Sequence, residues 1–96
     1  MLVNIQGVHF DVPDDIKEFI DKKLQKIDFA KDKIIELEIT ITQEPKEYII
    51  EVHVHFQWGK SGHIKVHEHN LRSGIDKLIA KLKEKVTKEK EIIQEH

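Results

Sequence analysis

Four segments of the chain alternate apolar and polar residues, a pattern with a period of two that is typical of half-buried β-strands. In the second segment, from Ile35 to Ile41, every other residue is apolar and the intervening residues are glutamate and threonine. The alternation predicts one apolar face on each strand, with Ile35 on that face and Trp58 at the end of it in the third segment. The four predicted strands cover residues 2–6, 35–42, 50–58 and 63–69.

Two further segments repeat their apolar residues at helical spacing. The first begins at Pro13, whose fixed φ suits the first turn of a helix, and two acidic residues follow where the helix dipole favours them. It is predicted to run to about Asp28. Asn70 is a favoured N-cap for the second helix. This helix is predicted to end near residue 91, and the tail beyond it is expected to fray.

The order of these elements is βαβββα, which predicts an α+β fold. The last three strands can form an antiparallel meander, and the first can reach the second through a right-handed helical crossover. Each strand has one apolar face and each helix one apolar stripe, so both helices should cover the same face of a four-stranded sheet. We therefore expect a single domain over residues 1–96, arranged like a double-stranded-RNA-binding domain.

The loop between the third and fourth strands determines which of their residues face each other. A two-residue loop would mix apolar and polar side chains on both faces. A three-residue loop with Gly62 in the left-handed conformation opposes Trp58 to Ile64 and Phe56 to Val66, which keeps one face apolar. The second register is our prediction, and it places Phe56 and Trp58 in the core.

The predicted register gathers four histidines on the outer face of the sheet. It sets His53 opposite His69 and His55 opposite His67, with Cβ atoms about 5 Å apart across each pair. Neutral imidazole is a common ligand for zinc, copper or nickel, so the four are candidate metal ligands. Two other interpretations stay open: a surface that gains charge below about pH 6.5, and a polar sheet face that simply meets water.

Composition narrows the classes of function. The 96 residues include no cysteine, which removes disulfides and thiol chemistry. No stretch resembles a signal peptide or the roughly 20 apolar residues of a membrane span. Ser61 and Ser73 lack the setting of a catalytic nucleophile, and no glycine-rich phosphate loop follows a strand. We expect a cytoplasmic protein that is not an enzyme, with no cofactor, no small-molecule substrate and no membrane partner.

Positive charge is concentrated on the helices although the formal net charge is −2. The first helix carries Lys22 and Lys26 on one flank of its apolar stripe, with Lys23 at the edge of the stripe. The second helix carries Lys83 and Lys90 on one flank, and four lysines share its other flank: Lys77, Lys81, Lys85 and Lys88. If the helices pack side by side, the first-helix set and the set of four could line one basic groove that neutralises phosphates. Ordinary solvated helix faces with glutamate partners are the alternative.

Several stretches of the sequence resemble one known family along the whole chain. They are VNIQG at 3–7, IKEFI at 16–20 and KKLQKI at 22–27 near the start, and IDKLIAKL at 75–82 and TKEK at 87–90 in the last helix. On these stretches and their spacing, the chain resembles the ribosome hibernation promoting factor and ribosome-associated inhibitor family. Its length is that of the short form, in which no second domain follows the last helix.

The resemblance implies the βαβββα fold and a function without catalysis. The implied function is binding in the decoding cleft of the small ribosomal subunit, over its rRNA, so that tRNA and mRNA are sterically excluded and the ribosome hibernates. The family's basic helix positions correspond to Lys23, Lys26, Lys81, Lys88 and Lys90. The implied partners are the small subunit with its rRNA and, for short-form relatives, a separate ribosome modulation factor associated with ribosome dimers.

The chain departs from the family pattern at two places. Glu84 stands where many members have arginine after the Lys-Leu pair of the last helix, and a carboxylate there would repel phosphate. Asn70 and Arg72 stand where members often have aspartate and an aromatic residue. Arg72 and Lys85 are the two candidates to replace the missing arginine, so both belong to the predicted rRNA-binding set.

Two functions of other classes stay open. Some relatives have been described as modulators of an alternative sigma factor, and the net negative charge is easier to reconcile with a protein partner than with RNA. The outer histidines provide the other alternative, a metal-binding or pH-sensing surface.

Overall fold

A computed structural model describes the backbone of residues 1–94 and the side chains of residues 1–89. A ten-residue 3-10 segment, Leu24–Lys33, follows the first helix directly. The remaining elements are β1 (Leu2–Val8), α1 (Asp14–Lys23), β2 (Ile34–Gln43), β3 (Tyr48–Phe56), β4 (Ser61–Glu68) and α2 (Leu71–Gln94).

The four strands form one mixed sheet in the order β1-β2-β3-β4. β1 runs parallel to β2, whereas β2, β3 and β4 form an antiparallel meander, as predicted. Both helices and the 3-10 segment pack on the same apolar face of the sheet. Each fully buried aliphatic side chain in this core contributes about 1.5–3 kcal/mol. The α+β fold is therefore confirmed, and none of the described elements covers the other face of the sheet.

The first helix changes its geometry halfway. The α-helix ends at Lys23, and the 3-10 segment continues the helical path beyond the predicted end at Asp28. Within this segment, Leu24, Ile27 and Ala30 are buried at a spacing of three residues. A 3-10 helix has three residues per turn, so this spacing keeps all three side chains on the core.

A register irregularity at the start of β2 corrects one predicted core position. The pairing with β3 shifts between Ile34 and Glu36. As a result Ile34 is buried, whereas Ile35 has 51% of its surface exposed. A β-bulge adds one residue to a strand and reverses the face that the preceding side chains take, which is why simple alternation assigned Ile35 to the core.

The predicted register of the β3–β4 hairpin is wrong. Ile64 pairs with Val52 rather than Trp58, and Val66 pairs with Ile50. The turn closes earlier than expected because Gly59, not Gly62, has the left-handed φ of 84°. Both registers keep the same residues of β4 on the apolar face, since the difference between them is an even number of residues.

The early turn removes Trp58 from the core. The Phe56 N–H donates to the Lys60 carbonyl at 2.8 Å, so β3 ends at Phe56. Phe56 is buried as predicted, but Trp58 lies in the turn with 37% of its surface exposed. Its ring stacks on that of Phe56, with centroids 4.8 Å apart.

The start of α2 is as predicted. The Ser73 N–H donates to Asn70 Oδ1 at 3.0 Å, and the Gly74 N–H donates to the Asn70 carbonyl at 2.9 Å. The helix continues to Gln94, past the predicted end near residue 91. The expectation of fraying for the last two residues of the chain falls outside the described residues.

Candidate functional site

A groove with a volume of about 530 Å³ runs between α2 and the edge strand β4. One wall is the flank of α2 that carries four of the predicted lysines, and the other wall is the edge of β4. The residues that line the groove are His63, Ile64, Lys65, Lys81, Glu84, Lys85, Lys88 and Glu89. Three of the predicted phosphate-binding lysines are thus gathered beside a histidine and a fourth lysine from the sheet.

The two glutamates of the groove are each held by one lysine. Lys88 Nζ lies 3.1 Å from Glu84 Oε1, one helical turn away. Lys60 Nζ, from the β3–β4 turn, lies 3.1 Å from Glu89 Oε2.

Lys81 and Lys85 form no ion pair within the described part of the chain. Both lie on the wall that α2 contributes to the groove. Because the two acids beside them are already paired, these lysines carry the uncompensated positive charge of the site.

Lys77 lies on the same flank of α2 but is already neutralised. It donates a hydrogen bond to Glu68 at the end of β4. This hydrogen bond, together with the charge of the ammonium group, holds the pKa of Glu68 below its usual range. Lys77 therefore ties α2 to the sheet and is less available to an external anion than Lys81.

The lysines near the end of α1 line a different groove. It has a volume of about 480 Å³ and is lined by Phe19, Lys22, Lys23, Gln25 and Lys26. Lys23 pairs with Asp76 of α2 at 3.1 Å. Lys22 and Lys26 form no ion pair among the described residues.

The two lysine sets do not share one groove. Asp76, which faces α1, lies on the flank of α2 opposite to the flank that faces β4. The sequence had allowed a single basic groove between side-by-side helices. The structure instead separates the sets across the width of α2, because α2 packs between α1 on one side and the edge strand on the other.

Arg72 connects the two helices. Its Nη2 donates to Asp15 Oδ2 at 2.9 Å, and its guanidinium lies 4.9 Å from the centroid of the Phe19 ring. An arginine that pairs with a carboxylate and stacks on an aromatic ring is well placed to join packed elements. Lys90, the last predicted binding residue, lies on α2 beyond the described side chains.

The histidines of the outer sheet face do not form the predicted pairs. His53 faces His63, and their rings stack with centroids 4.3 Å apart. His55 faces Ser61. The interpretation of His53 opposite His69 and His55 opposite His67 was wrong because it depended on the hairpin register.

The other two histidines of the proposed cluster are engaged elsewhere. His67 Nδ1 lies 3.3 Å from Glu47 Oε2, and His69 Nδ1 bonds to the Lys46 carbonyl. No group of three or more histidine or acidic side chains among the described residues is placed to hold a metal ion. The four histidines are therefore separated into local contacts.

Sequence reasoning missed the role of Glu89. Only 7% of this residue is exposed, which makes it the one charged residue among the described core positions. The signal was present, because Glu89 follows Val86 at the spacing of the apolar stripe. The partner was not visible, since Lys60 is far away in sequence and approaches only through the hairpin turn.

Comparison with known proteins identifies the family. Residues 3–94 match the family described as Sigma 54 modulation protein / S30EA ribosomal protein. The chain belongs to this family. The match extends over nearly all of the sequence, so the resemblance seen in the first and last helices is confirmed. We refer to it below as the S30EA family.

Curated relatives and solved structures agree with this assignment. The chain is 26% identical to the ribosome hibernation promoting factor of Klebsiella oxytoca over 96 residues, the full length of both. It is 29% identical to that of Azotobacter vinelandii over 91 residues, which are 95% of this chain and 84% of the relative.

Two solved structures have the same fold. A ribosomal subunit interface protein from Coxiella burnetii has a TM-score of 0.86 at 22% identity, covering 94% of this chain and 98% of the other. The N-terminal domain of Thermus thermophilus Protein Y has a TM-score of 0.81 at 20% identity, covering 92% and 98%. No helix in the described part of this S30EA family member is long and apolar enough to cross a membrane.

Proposed function

We propose that this protein binds the ribosome and promotes its hibernation by occupying the decoding cleft of the small subunit. The observation that carries the proposal is the end-to-end match to the S30EA family, together with relatives of the same length that are named ribosome hibernation promoting factors. In this proposal the protein acts as a steric plug in the path of tRNA and mRNA, and it is not an enzyme.

The distribution of charge supports an RNA partner. The formal net charge of −2 would repel a polyanion as a whole, but binding depends on the charges that face the ligand. Lys81 and Lys85 in the β4 groove, and Lys22 and Lys26 near α1, are not neutralised by acids among the described residues. Lysine is a compact point charge, so such groups can neutralise phosphates without reading base sequence.

The separation of the two lysine sets suits a folded RNA. Two grooves on opposite flanks of α2 can contact two phosphate strands, whereas one groove would follow a single strand. We propose that the small subunit's rRNA supplies both strands. Lys23, Lys77 and Arg72 would then act mainly by holding separate elements in place, whereas Lys88 would pair within its own helix. Each of the four would reach a phosphate only by giving up its acidic partner.

Salt dependence of binding is the first test. The protein is expected to co-sediment with purified small ribosomal subunits at low salt, and the affinity should fall steeply as salt rises, because each phosphate contact contributes about 0.7–0.9 to the slope of log K against log salt. Failure to bind at low salt would overturn the proposal.

Charge reversal in the groove tests which lysines are involved. The double variant Lys81→Glu/Lys85→Glu should bind small subunits at least about a hundredfold more weakly, since each lost charged hydrogen bond costs about 1.5–3 kcal/mol and 1.4 kcal/mol is a factor of ten. The matched control is Lys17→Glu/Lys46→Glu, which makes the same charge change at two lysines outside both grooves. Equal losses in the two double variants would contradict a role for the groove.

Occlusion of the decoding cleft can be distinguished by experiment from simple attachment to the small subunit. A protein that fills the decoding cleft should compete with tRNA for small subunits. Gradient sedimentation with and without a ribosome modulation factor should show whether ribosomes are also paired into dimers.

The family description includes sigma 54 modulation. Recovery of polymerase components without ribosomes in a pull-down would favour that function over hibernation.

A further inference from the structure

Gly62 leaves room for one lysine of the groove. It lies on the side of β4 that faces α2, where it pairs with Val54 of β3. A methyl group at this position would lie 2.0 Å from Cε, 3.0 Å from Cδ and 3.2 Å from Nζ of Lys85. The end of the Lys85 side chain therefore occupies the space that any other residue at position 62 would fill.

The acid best placed to neutralise Lys85 is occupied by another lysine. Glu89 follows Lys85 by four residues, the spacing at which helical side chains meet. In this structure Glu89 is held at 3.1 Å by Lys60, which enters from the β3–β4 turn. Lys85 thus lies against Gly62, and its charge is uncompensated within the described part of the chain.

We infer that Lys85 is the phosphate-binding cation that replaces the arginine missing at Glu84, and that Gly62 and the Lys60–Glu89 ion pair are its positioning residues. This inference rests on the proposed function. The effect of Gly62 is steric: because it has no side chain, the end of Lys85 can lie against the wall of the groove. The ion pair acts through charge, by keeping Glu89 from Lys85.

The alternative candidate, Arg72, is less suited to this role. Its guanidinium is committed to Asp15 and to the face of the Phe19 ring, on the flank of α2 that faces α1. Binding a phosphate would require this arginine to leave both partners. Lys85 has no such partner among the side chains that the structure describes, and it lies in the groove beside Lys81.

A double-mutant cycle tests whether Gly62 positions Lys85 for binding. Lys85→Met should weaken binding to small subunits about tenfold, the effect of losing one charged hydrogen bond, and reduce the salt slope by about 0.7–0.9. Gly62→Ala should reproduce most of both effects although it removes no charge. In the Lys85→Met background, Gly62→Ala should have no further effect, because there is no ammonium group left to displace.

The ion pair provides a second variant that leaves Gly62 intact. Lys60→Gln should weaken binding severalfold because Glu89 is freed to pair with Lys85. Adding Glu89→Gln should restore the affinity. The matched control adds Glu44→Gln instead, which restores the same net charge at the distant β2–β3 turn and should not rescue binding.

A measurement without ribosomes separates the geometry from the function. Proton NMR should show a nuclear Overhauser contact between the Gly62 Hα and Lys85 Hε atoms, and Gly62→Ala should remove the ordered position of Lys85 while leaving the melting temperature unchanged or raised. Absence of this contact would overturn the inference.

The remaining outcomes distinguish the two proposals. If the unaltered protein binds small subunits but the Gly62→Ala and Lys85→Met losses add up, the inference fails and the proposed function stands. Rescue of Lys60→Gln by Glu44→Gln as well as by Glu89→Gln would likewise show a general charge effect and overturn it. If the unaltered protein does not bind at all, the proposed function fails and the phosphate-binding role of Lys85 fails with it.

Discussion

The outer face of the sheet and the groove between α2 and β4 are both rich in charged side chains. The two regions differ in how these charges are paired. On the outer face, basic groups meet carboxylates across neighbouring strands. His63 Nε2 and Lys65 Nζ lie 3.3 Å and 3.9 Å from the same carboxylate, Glu51, and His67 faces Glu47. When its histidines are protonated, this face therefore compensates much of its own charge.

In the groove, each acid is matched to one lysine and two lysines remain. Glu84 is paired with Lys88, and Glu89 with Lys60, which leaves Lys81 and Lys85 without an acidic partner in the described structure. Net charge is therefore a poor guide to a binding surface. A chain with a net charge of −2 can still present a basic groove, because charges that are paired internally attract an external phosphate only weakly.

Among the substitutions that compare these two regions, the largest effect should come from placing in the groove, at position 84, the arginine that the family resemblance implies. Glu84→Arg removes a carboxylate that would repel phosphate and frees Lys88, so binding to small subunits should tighten by about tenfold, equivalent to about 1.4 kcal/mol. The same charge change on the outer face, Glu38→Arg, is the control and should alter binding far less. If the two substitutions tighten binding equally, the groove has no special role in attracting RNA.

A smaller effect is expected from the outer face itself. Glu51→Gln removes the carboxylate shared by His63 and Lys65, whose side chains also border the groove. Exposed ion pairs contribute about 0–1 kcal/mol, so unfolding by urea should change little. Binding to small subunits should improve by no more than about twofold. A change as large as that of Glu84→Arg would erase the distinction between the two regions.

The smallest effect concerns Lys77, the lysine of α2 that pairs with Glu68. Lys77 lowers the pKa of Glu68, and a carboxyl whose pKa is lowered by folding adds stability above its unfolded pKa and loses it as pH falls through the folded pKa. Lys77→Met should therefore lower the melting temperature slightly at pH 7, and the difference should vanish in acid below the usual carboxyl range.

Lys46→Met provides the control for this measurement, since Lys46 is an exposed lysine with no ion pair among the described residues. It should leave the melting temperature unchanged at both pH values. A difference between Lys77→Met and the unaltered protein that persisted in acid would show that packing of the lysine stem, rather than charge, stabilises the contact.

The fold could be predicted from the sequence even though the hairpin register was wrong. Ile64 and Val66 face the core in both the predicted and the observed register, because moving a strand by an even number of residues keeps every side chain on its face. The same error did change the predicted positions of the histidines relative to one another. Their proposed cluster required particular cross-strand partners, and the observed pairing puts His63, not His69, opposite His53.

Local patterns failed where the backbone departs from regular geometry. The bulge before Glu36 exposes Ile35, and the left-handed Gly59 ends β3 early enough to leave Trp58 in a turn. Neither irregularity changes the composition or the average period of its segment. Alternation alone therefore could not find them.

Local patterns in the sequence were enough for the order of the elements, the N-cap at Asn70 and, except at Ile35 and Trp58, the side chains that enter the core, because these depend on residues within a few positions of each other. They also determined which helix flanks carry lysine. The tertiary structure decided which of these lysines are neutralised. Lys60 reaches Glu89, Arg72 reaches Asp15 and Lys85 lies over Gly62 only after distant segments pack together. Pairing depends on distances of a few ångströms, and the spacing of residues along the chain does not set those distances between separate elements.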